Sequence, residues 1–299
     1  LEGEIMHARL VSNQVELTRQ AGVAASRPGA QVTGRDRSAD GSTIRVLHGA
    51  APCIEKPAPI RIYTLGRFEI VVNGEVLGHA RKAQRRVLDL LKAHVALGPA
   101  GVSCNVVAGA LWPDSEGDAA RGAFEVTLHR LRKLLGHDDA LQLTHGTLRL
   151  NAAIAWTDAL AFEQAAALAT DNHGVADLGA AERALALYTG PFLHNEEDTP
   201  WLLPTRERLR SRYLRLATRM AQHFKDLGWP VREIYATALE AEPLAEELYR
   251  GLMACLAADG RHAEAFVIYR RCRQMLLAVH GVEPSRETDD LWRTIAQAA

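Results

Sequence analysis

The sequence predicts a mainly α protein with small β-sheets: a winged helix-turn-helix followed by an all-α, TPR-like helical domain. Three observations carry that prediction. Residues 60–77 and 141–150 alternate apolar and polar residues around Asn73-Gly74 and His145-Gly146, the pattern of two hairpins. Between them lie three stretches of helical period, and from Trp156 onward the period is helical throughout. Strands, three helices and a hairpin in about 90 residues make a winged helix with an extra N-terminal sheet, long enough to bury a core of its own.

In chain order, residues 1–22 read as a short helix of modest amphipathicity, with Ile5, Leu10, Val15 and Leu17 as its apolar positions. Residues 23–59 lose all period and fill with Gly, Ser, Pro, Ala and scattered charge, the composition of a flexible linker. The chain thus divides into residues 1–59, a reading domain over 60–151 and a helical domain over 156–297. Residues 82–97 form the first helix of the reading domain, with Val87, Leu88, Leu91, Val95 and Leu97 turned inward, and Gly98-Pro99 ends it. Ser103 is placed to cap a short helix that stops before Pro113, and the loop WPDSEGD leads on to residues 118–135.

That stretch, DAARGAFEVTLHRLRKLL, is the one the reading domain serves. Phe124, Leu128, Leu131 and Leu135 fall at i, i+4, i+7 and i+11, a narrow apolar stripe. Ala119, Gly122, Val126, His129, Arg130 and Lys133 occupy the opposite side, with Glu125 the acid among them. Asp118 stands where an N-cap belongs and Gly136 where the chain turns out of the helix. A smooth first turn followed by donors suits a DNA major groove, whereas the plain alternative is a solvated basic face.

The helical domain is expected as helices over 157–169, 175–189, 201–227, 231–241, 244–258, 261–280 and 284–297, broken at Gly190-Pro191, Gly228-Trp229-Pro230, Pro243, Gly260 and Pro284. Ala265, Tyr269 and Cys272 have the small-large-small spacing of touching helix pairs. RERLRSRYLRLATR (206–219) resembles a nucleic-acid helix on charge alone. Its stripe of Leu209, Tyr213, Leu216 and Met220, set in an acidic domain, favours a structural role.

Composition narrows the function. The whole chain carries a net charge of −1, but residues 59–151 hold 12 Lys and Arg against 9 Asp and Glu, and residues 152–299 hold 16 against 21. The basic excess therefore surrounds the 118–135 helix. Arg81, Lys82, Arg85 and Arg86 add a basic run that suits either DNA backbone or solvent. Cys53, Cys104, Cys255 and Cys272 match no metal or CxxC spacing and read as buried small hydrophobes in a reducing cytoplasm. No apolar run reaches membrane-spanning length, so a soluble cytoplasmic protein with no membrane partner is expected. There is no HExxH, nucleophile elbow or phosphate-cradling glycine loop, and Glu196, Glu197 and Asp198 read as a solvated acidic loop. An enzyme, a cofactor and a metal are not expected.

TLGRFEIVVNGE, ALWPD and LHRLRKLLG resemble the OmpR-type DNA-binding domain of SARP-like bacterial transcriptional regulators. TDALAFEQ, the long run EPLAEELYRGLMACLAADGRHAEAFVIYRRCRQML and GVEPSRET resemble the bacterial transcriptional activator domain, BTAD, that follows it in that family. The resemblance spans roughly residues 60–297. It implies a sequence-specific regulator, an activator, that inserts the 118–135 helix into double-stranded promoter DNA, usually at direct repeats. The BTAD would pair protomers as a homodimer on DNA and help contact RNA polymerase.

Carried onto this chain, the implied DNA contacts are Gly122, Val126, Thr127, His129, Arg130 and Arg132, with Lys133 on phosphates. The wing tip would add His145 and Thr147, with Arg149 the nearest cation. The implied polymerase-facing loop is Trp112, Pro113, Asp114, Ser115 and Glu116. Position 122, often basic in relatives, is Gly here. With no receiver domain in the sequence, the switch is expected to be phosphorelay-independent. The rival reading is a protein-interaction scaffold whose winged helix no longer binds DNA.

Overall fold

The computed structural model describes residues 58–78, 84–171 and 174–298, so the expected helix and linker up to residue 57, with Cys53, and Arg81 and Lys82 lie outside the described residues. Strands β1 (Ile60–Tyr63), β2 (Glu69–Val72) and β3 (Glu75–Val76) form an antiparallel meander. Asn73 and Gly74 both take positive φ, 51° and 92°, the twist that a two-residue hairpin needs. A fourth strand, β7 (Ala155–Thr157), lies parallel to β1 and completes the order β3-β2-β1-β7. This corrects the expected helical period from Trp156. Three residues are too few to display a period, and pairing with Ile60–Ile62 is what extends them. Trp156 also packs edge-on against Tyr63, ring centroids 5.5 Å apart.

Helices α1 (Arg85–Leu97), α2 (Cys104–Leu111) and α3 (Gly117–Leu135) follow, with strand β4 (Val102–Ser103) before α2. The wing, β5 (Leu141–Thr144) and β6 (Thr147–Leu150), joins β4 in a second sheet of order β4-β6-β5. Along α1 Leu90 is fully buried, whereas Leu88 and Leu97 are only half-buried. Ser103 does hold the N-cap position of α2, but its side chain accepts no capping bond. The N-cap of α3 is Glu116 rather than Asp118, which instead sits in the first turn, where a negative charge also suits the helix dipole.

The remaining helices are α4 (Asp158–Ala169), α5 (Leu178–Leu187), α6 (Leu203–Asp226), α7 (Arg232–Ala241), α8 (Glu246–Ala258), α9 (His262–His280) and α10 (Arg286–Gln297). Each follows the expected period within a few residues. Ala265 and Cys272 of α9 are fully buried, and half-buried Tyr269 donates to Asp289 across to α10. Cys104 is buried too, but Cys255 is only half-buried. Among the described residues no helix is long and apolar enough to cross a membrane.

The sheet and the helices share one core. Asp158, at the start of α4, is buried and accepts from the Thr64 and Leu65 main-chain N–H groups, the Thr64 hydroxyl and the Ala159 N–H at 2.7–2.9 Å. Burial pushes its carboxyl up while those donors hold it down. Beside it Leu193 N–H donates to Thr64, Gly66 N–H to Pro191, and the Thr189 hydroxyl to Leu65. Gly66 and Gly190 make this approach possible: a Cβ on Gly190 would lie 2.9 Å from the Gly66 Cα. Thr205 of α6 donates to the Ala96 carbonyl at the end of α1. Residues 60–151 therefore do not close their core alone, because β1 is flanked by β7 and the loop after it is seated on residues 189–193.

Candidate nucleic-acid interface

Helix α3 is held by the stripe the sequence shows. Phe124, Leu128, Leu131 and Leu135 are at most 2% exposed and pack against α1 and α2. Burying four such side chains stabilises the seat of the helix by roughly 6–12 kcal/mol before the entropy of ordering it. Gly136, with φ 68°, ends the helix in the left-handed conformation and turns the chain toward the wing.

On the other side Ala119, Gly122, Val126, His129, Arg130 and Lys133 are all exposed. A Cβ on Gly122 would meet nothing within 4 Å, so packing does not demand glycine there. Glu125 is answered by Arg121 of the same helix at 3.4 Å. Among the described residues the side chains of Arg130 and Lys133 have no ion-pair or hydrogen-bond partner. This face thus presents open cations beside an apolar Val126 that is 53% exposed.

Two of the expected contacts on α3 are not on that face. Thr127 is buried, and its hydroxyl donates back to the Ala123 carbonyl at 2.7 Å. It lies three residues after Phe124 and four before Leu131, on the flank of the apolar stripe, so the wheel already carried the signal. Arg132 is half-buried and donates through Nε and Nη2 to the Leu141 carbonyl, at 3.0 and 2.6 Å. Its fork fastens the first residue of the wing to α3, which makes it a positioning residue rather than a free phosphate ligand.

At the wing tip His145 is exposed, and it and Gly146 take φ of 50° and 74°. The Gly146 carbonyl accepts from Cys104 N–H at 2.8 Å, anchoring the tip to the start of α2. Thr147 is half-buried and paired with both Thr144 and Ser103, so its main chain is occupied by the sheet. Arg149 is exposed on the same strand.

In the loop before α3, Pro113, Asp114, Ser115 and Glu116 are exposed. Trp112 differs: it is half-buried against the core with the Arg86 guanidinium 5.8 Å from its ring centroid, and Arg86 also donates to the Leu111 carbonyl. Trp112 anchors the loop and does not belong to its outward surface. Arg86, read from sequence as part of a solvated or DNA-facing run, is that anchor's partner.

The acidic loop is likewise more than a solvated one. Glu196 accepts from buried Lys92 of α1 at 2.6 Å, and Asp198 is paired with Arg206 of α6. Arg206 further donates to the Phe192, Leu193 and Glu196 carbonyls. Its neighbours Arg208 and Arg210 meet Glu163 and buried Glu242, while Leu209, Tyr213, Leu216 and Met220 are buried as expected. Among the described residues no three His, Cys, Asp or Glu converge as a metal site.

Residues 157–296 match the bacterial transcriptional activator domain, BTAD. Two curated proteins are similar over most of the chain. The regulatory protein AfsR of Streptomyces griseus is 28% identical over 274 residues, covering 87% of this chain and 27% of that protein. AfsR of Streptomyces coelicolor is 29% identical over 251 residues, covering 82% and 25%. Residues 157–296 are thus similar to that activator domain, and most of the chain is similar to the regulatory protein AfsR. The chain spans about a quarter of the length of these curated relatives. An alignment over 87% of this chain exceeds the BTAD match and so extends into the winged-helix portion. A solved structure, Mycobacterium tuberculosis EmbR in complex with low affinity phosphopeptide, aligns at a TM-score of 0.49 and 21% identity over 81% of this chain and 66% of that one.

Proposed function

We propose that this chain is a SARP-like regulator, a sequence-specific transcriptional activator that places α3 in the major groove of promoter DNA. The observation that carries the reading is the outer face of α3: exposed, apolar at Val126, cationic at Arg130 and Lys133, with no protein partner for either cation among the described residues. Val126 suits a thymine methyl, Arg130 a guanine edge or phosphate, and Lys133 a phosphate. His129 adds a donor and acceptor, and Gly122 lets the first turn approach the duplex closely. Arg132 sets the angle between helix and wing, so that His145 reaches the adjacent groove. The loop Pro113–Glu116 is the surface offered to RNA polymerase. The helical domain pairs two copies on direct repeats, raising the local concentration of the second reading head.

Genome-wide mapping of bound DNA supplies the target site. Titrating the full chain against it over a range of salt then tests the reading. Arg130→Ala with Lys133→Ala should flatten the slope of log affinity against log salt by about 0.9 for each phosphate no longer neutralised, which is about 0.9 with Arg130 on a guanine edge and about 1.8 with both on phosphates. A folded double variant that matches the parent in affinity and slope overturns the groove assignment. Failure of the parent to bind even mixed-sequence DNA at low salt favours the protein-interaction scaffold instead.

A further inference from the structure

Arg208, Arg212, Arg215 and Arg219 of α6 are spaced by four, three and four residues, which aligns them along one side of the helix. Arg208 is taken by Glu163 of α4. The other three line a groove of about 380 Å³ between α6 and the C-terminal end of α4, with Thr170, Asp171 and Leu216. Arg212 donates one N–H to the Glu163 carbonyl at 3.4 Å, and Arg219 one to the Asp171 carbonyl at 3.2 Å. Exposed Arg215 has no hydrogen-bond or ion-pair partner among the described residues. A guanidinium carries five N–H donors, so single main-chain bonds steady Arg212 and Arg219 and leave most of their donors uncommitted.

Capping the end of α4 accounts for part of this cluster only. The aligned peptide dipoles there present about half a negative charge, and the Asp171 carboxylate contributes one more. Three guanidinium groups exceed that by about one and a half positive charges. The crowding reaches Arg208, whose pKa is lowered by burial and then by the charge of Arg212.

We propose that this groove binds a phosphate group carried on a small molecule. A phosphate monoester brings about −1.5 to −2 charge at neutral pH, which matches the local surplus. Planar guanidinium forks suit its oxygens. The groove also falls within the size range of small-molecule sites. A polyanion fits less well, because residues 152–299 hold 21 acids against 16 cations and would repel an extended phosphate backbone.

Calorimetric titration of the full chain with inorganic pyrophosphate, at constant ionic strength, tests this. Saturable one-to-one binding is expected. Arg215→Gln should weaken it about tenfold, the worth of one charge-assisted hydrogen bond, without moving the ligand-free thermal midpoint. Arg286→Gln, a change at a 93% exposed side chain on α10, should leave it unaltered. No saturable binding, or equal weakening in both variants, overturns the proposal and leaves the cluster as a helix cap. Competition between pyrophosphate and a short mixed-sequence duplex that disappears in Arg215→Gln reassigns the groove to nucleic acid and equally overturns it.

Discussion

Helices α3 and α6 are both arginine-rich, and by charge alone α6 is the stronger candidate for nucleic acid. It carries seven Lys and Arg against two acids, whereas α3 carries four against two. Their surroundings reverse the ranking. On α6, Arg206, Arg208 and Arg210 each close on a carboxylate, and Arg206 also ties down three main-chain carbonyls of the 192–196 loop. Arg212 and Arg219, on either side of the open Arg215, each donate to a main-chain carbonyl. On α3, Arg130 and Lys133 stand open beside Val126. A cation is available to a ligand only when the fold has not already supplied its anion, so charge density is a poor guide without partners.

Helix α1 lies between the two, packed on α3 and bonded through Ala96 to Thr205 of α6. The contrast can therefore be broken from the join. Asp158→Ala should have the largest effect, about 3–5 kcal/mol of unfolding free energy, because it leaves several buried N–H groups without an acceptor. Denaturant unfolding should show a lower midpoint for the whole chain. A destabilisation confined to the helical domain would mean that the shared core is not cooperative.

The next largest effect is one of pH. Burial holds the His94 imidazole of α1 down at about 4, against 6.5 for the free side chain, and neither ring nitrogen has a hydrogen-bond partner among the described residues. The folded chain keeps it neutral where the unfolded chain takes up a proton. Its contribution is complete above about pH 6.5 and is withdrawn as pH falls from there toward 4, a total of roughly 3 kcal/mol. In His94→Leu the slope of stability against pH should flatten over that window, and an unchanged slope would assign it to other groups.

Pairing Arg206→Ala with Arg130→Ala sharpens the contrast between the two helices. Removing Arg206 should cost about 2 kcal/mol of stability by orphaning carbonyls and Asp198. Removing Arg130 should cost less than about 0.5 kcal/mol, since it is exposed and has no hydrogen-bond or ion-pair partner among the described residues, and should act on DNA affinity instead. Similar destabilisation in the two variants would show that Arg130 has a structural partner. The smallest effect is that of Val126→Ala, expected to relax preference at one base step by about 1 kcal/mol. Selection from randomised sites would expose it, and an identical preference matrix would remove Val126 from the interface.

Much of this architecture is legible from short stretches. The Asn73-Gly74 and His145-Gly146 turns, the apolar stripe of α3 and the seven later helices all follow from residues within a few positions of one another. Thr127 was also within reach, since its place beside Phe124 and Leu131 is a matter of helical spacing. Strand β7 was not, because its three residues are extended by β1, which lies far away in the chain. Nor was the clamp at Asp158, whose donors on Thr64 and Leu65 are 94 and 93 residues distant, or the Lys92–Glu196 pair, 104 apart.

Backbone sterics, hydrophobic period and turn preferences act over one to eleven residues, and these carried the helices, the hairpins and the face that α3 turns to the core. The fate of each charged side chain is settled by elements that meet only after folding. Arg132 became the fastener of the wing because Leu141 came beneath it, and Arg206 the clamp of a loop because residues 192–198 closed over it. Arg130 and Lys133 stayed open because packing the stripe inward left no carboxylate of the described residues in their reach. A charge interacts with whatever the fold brings within a few ångströms, and sequence separation places no bound on that.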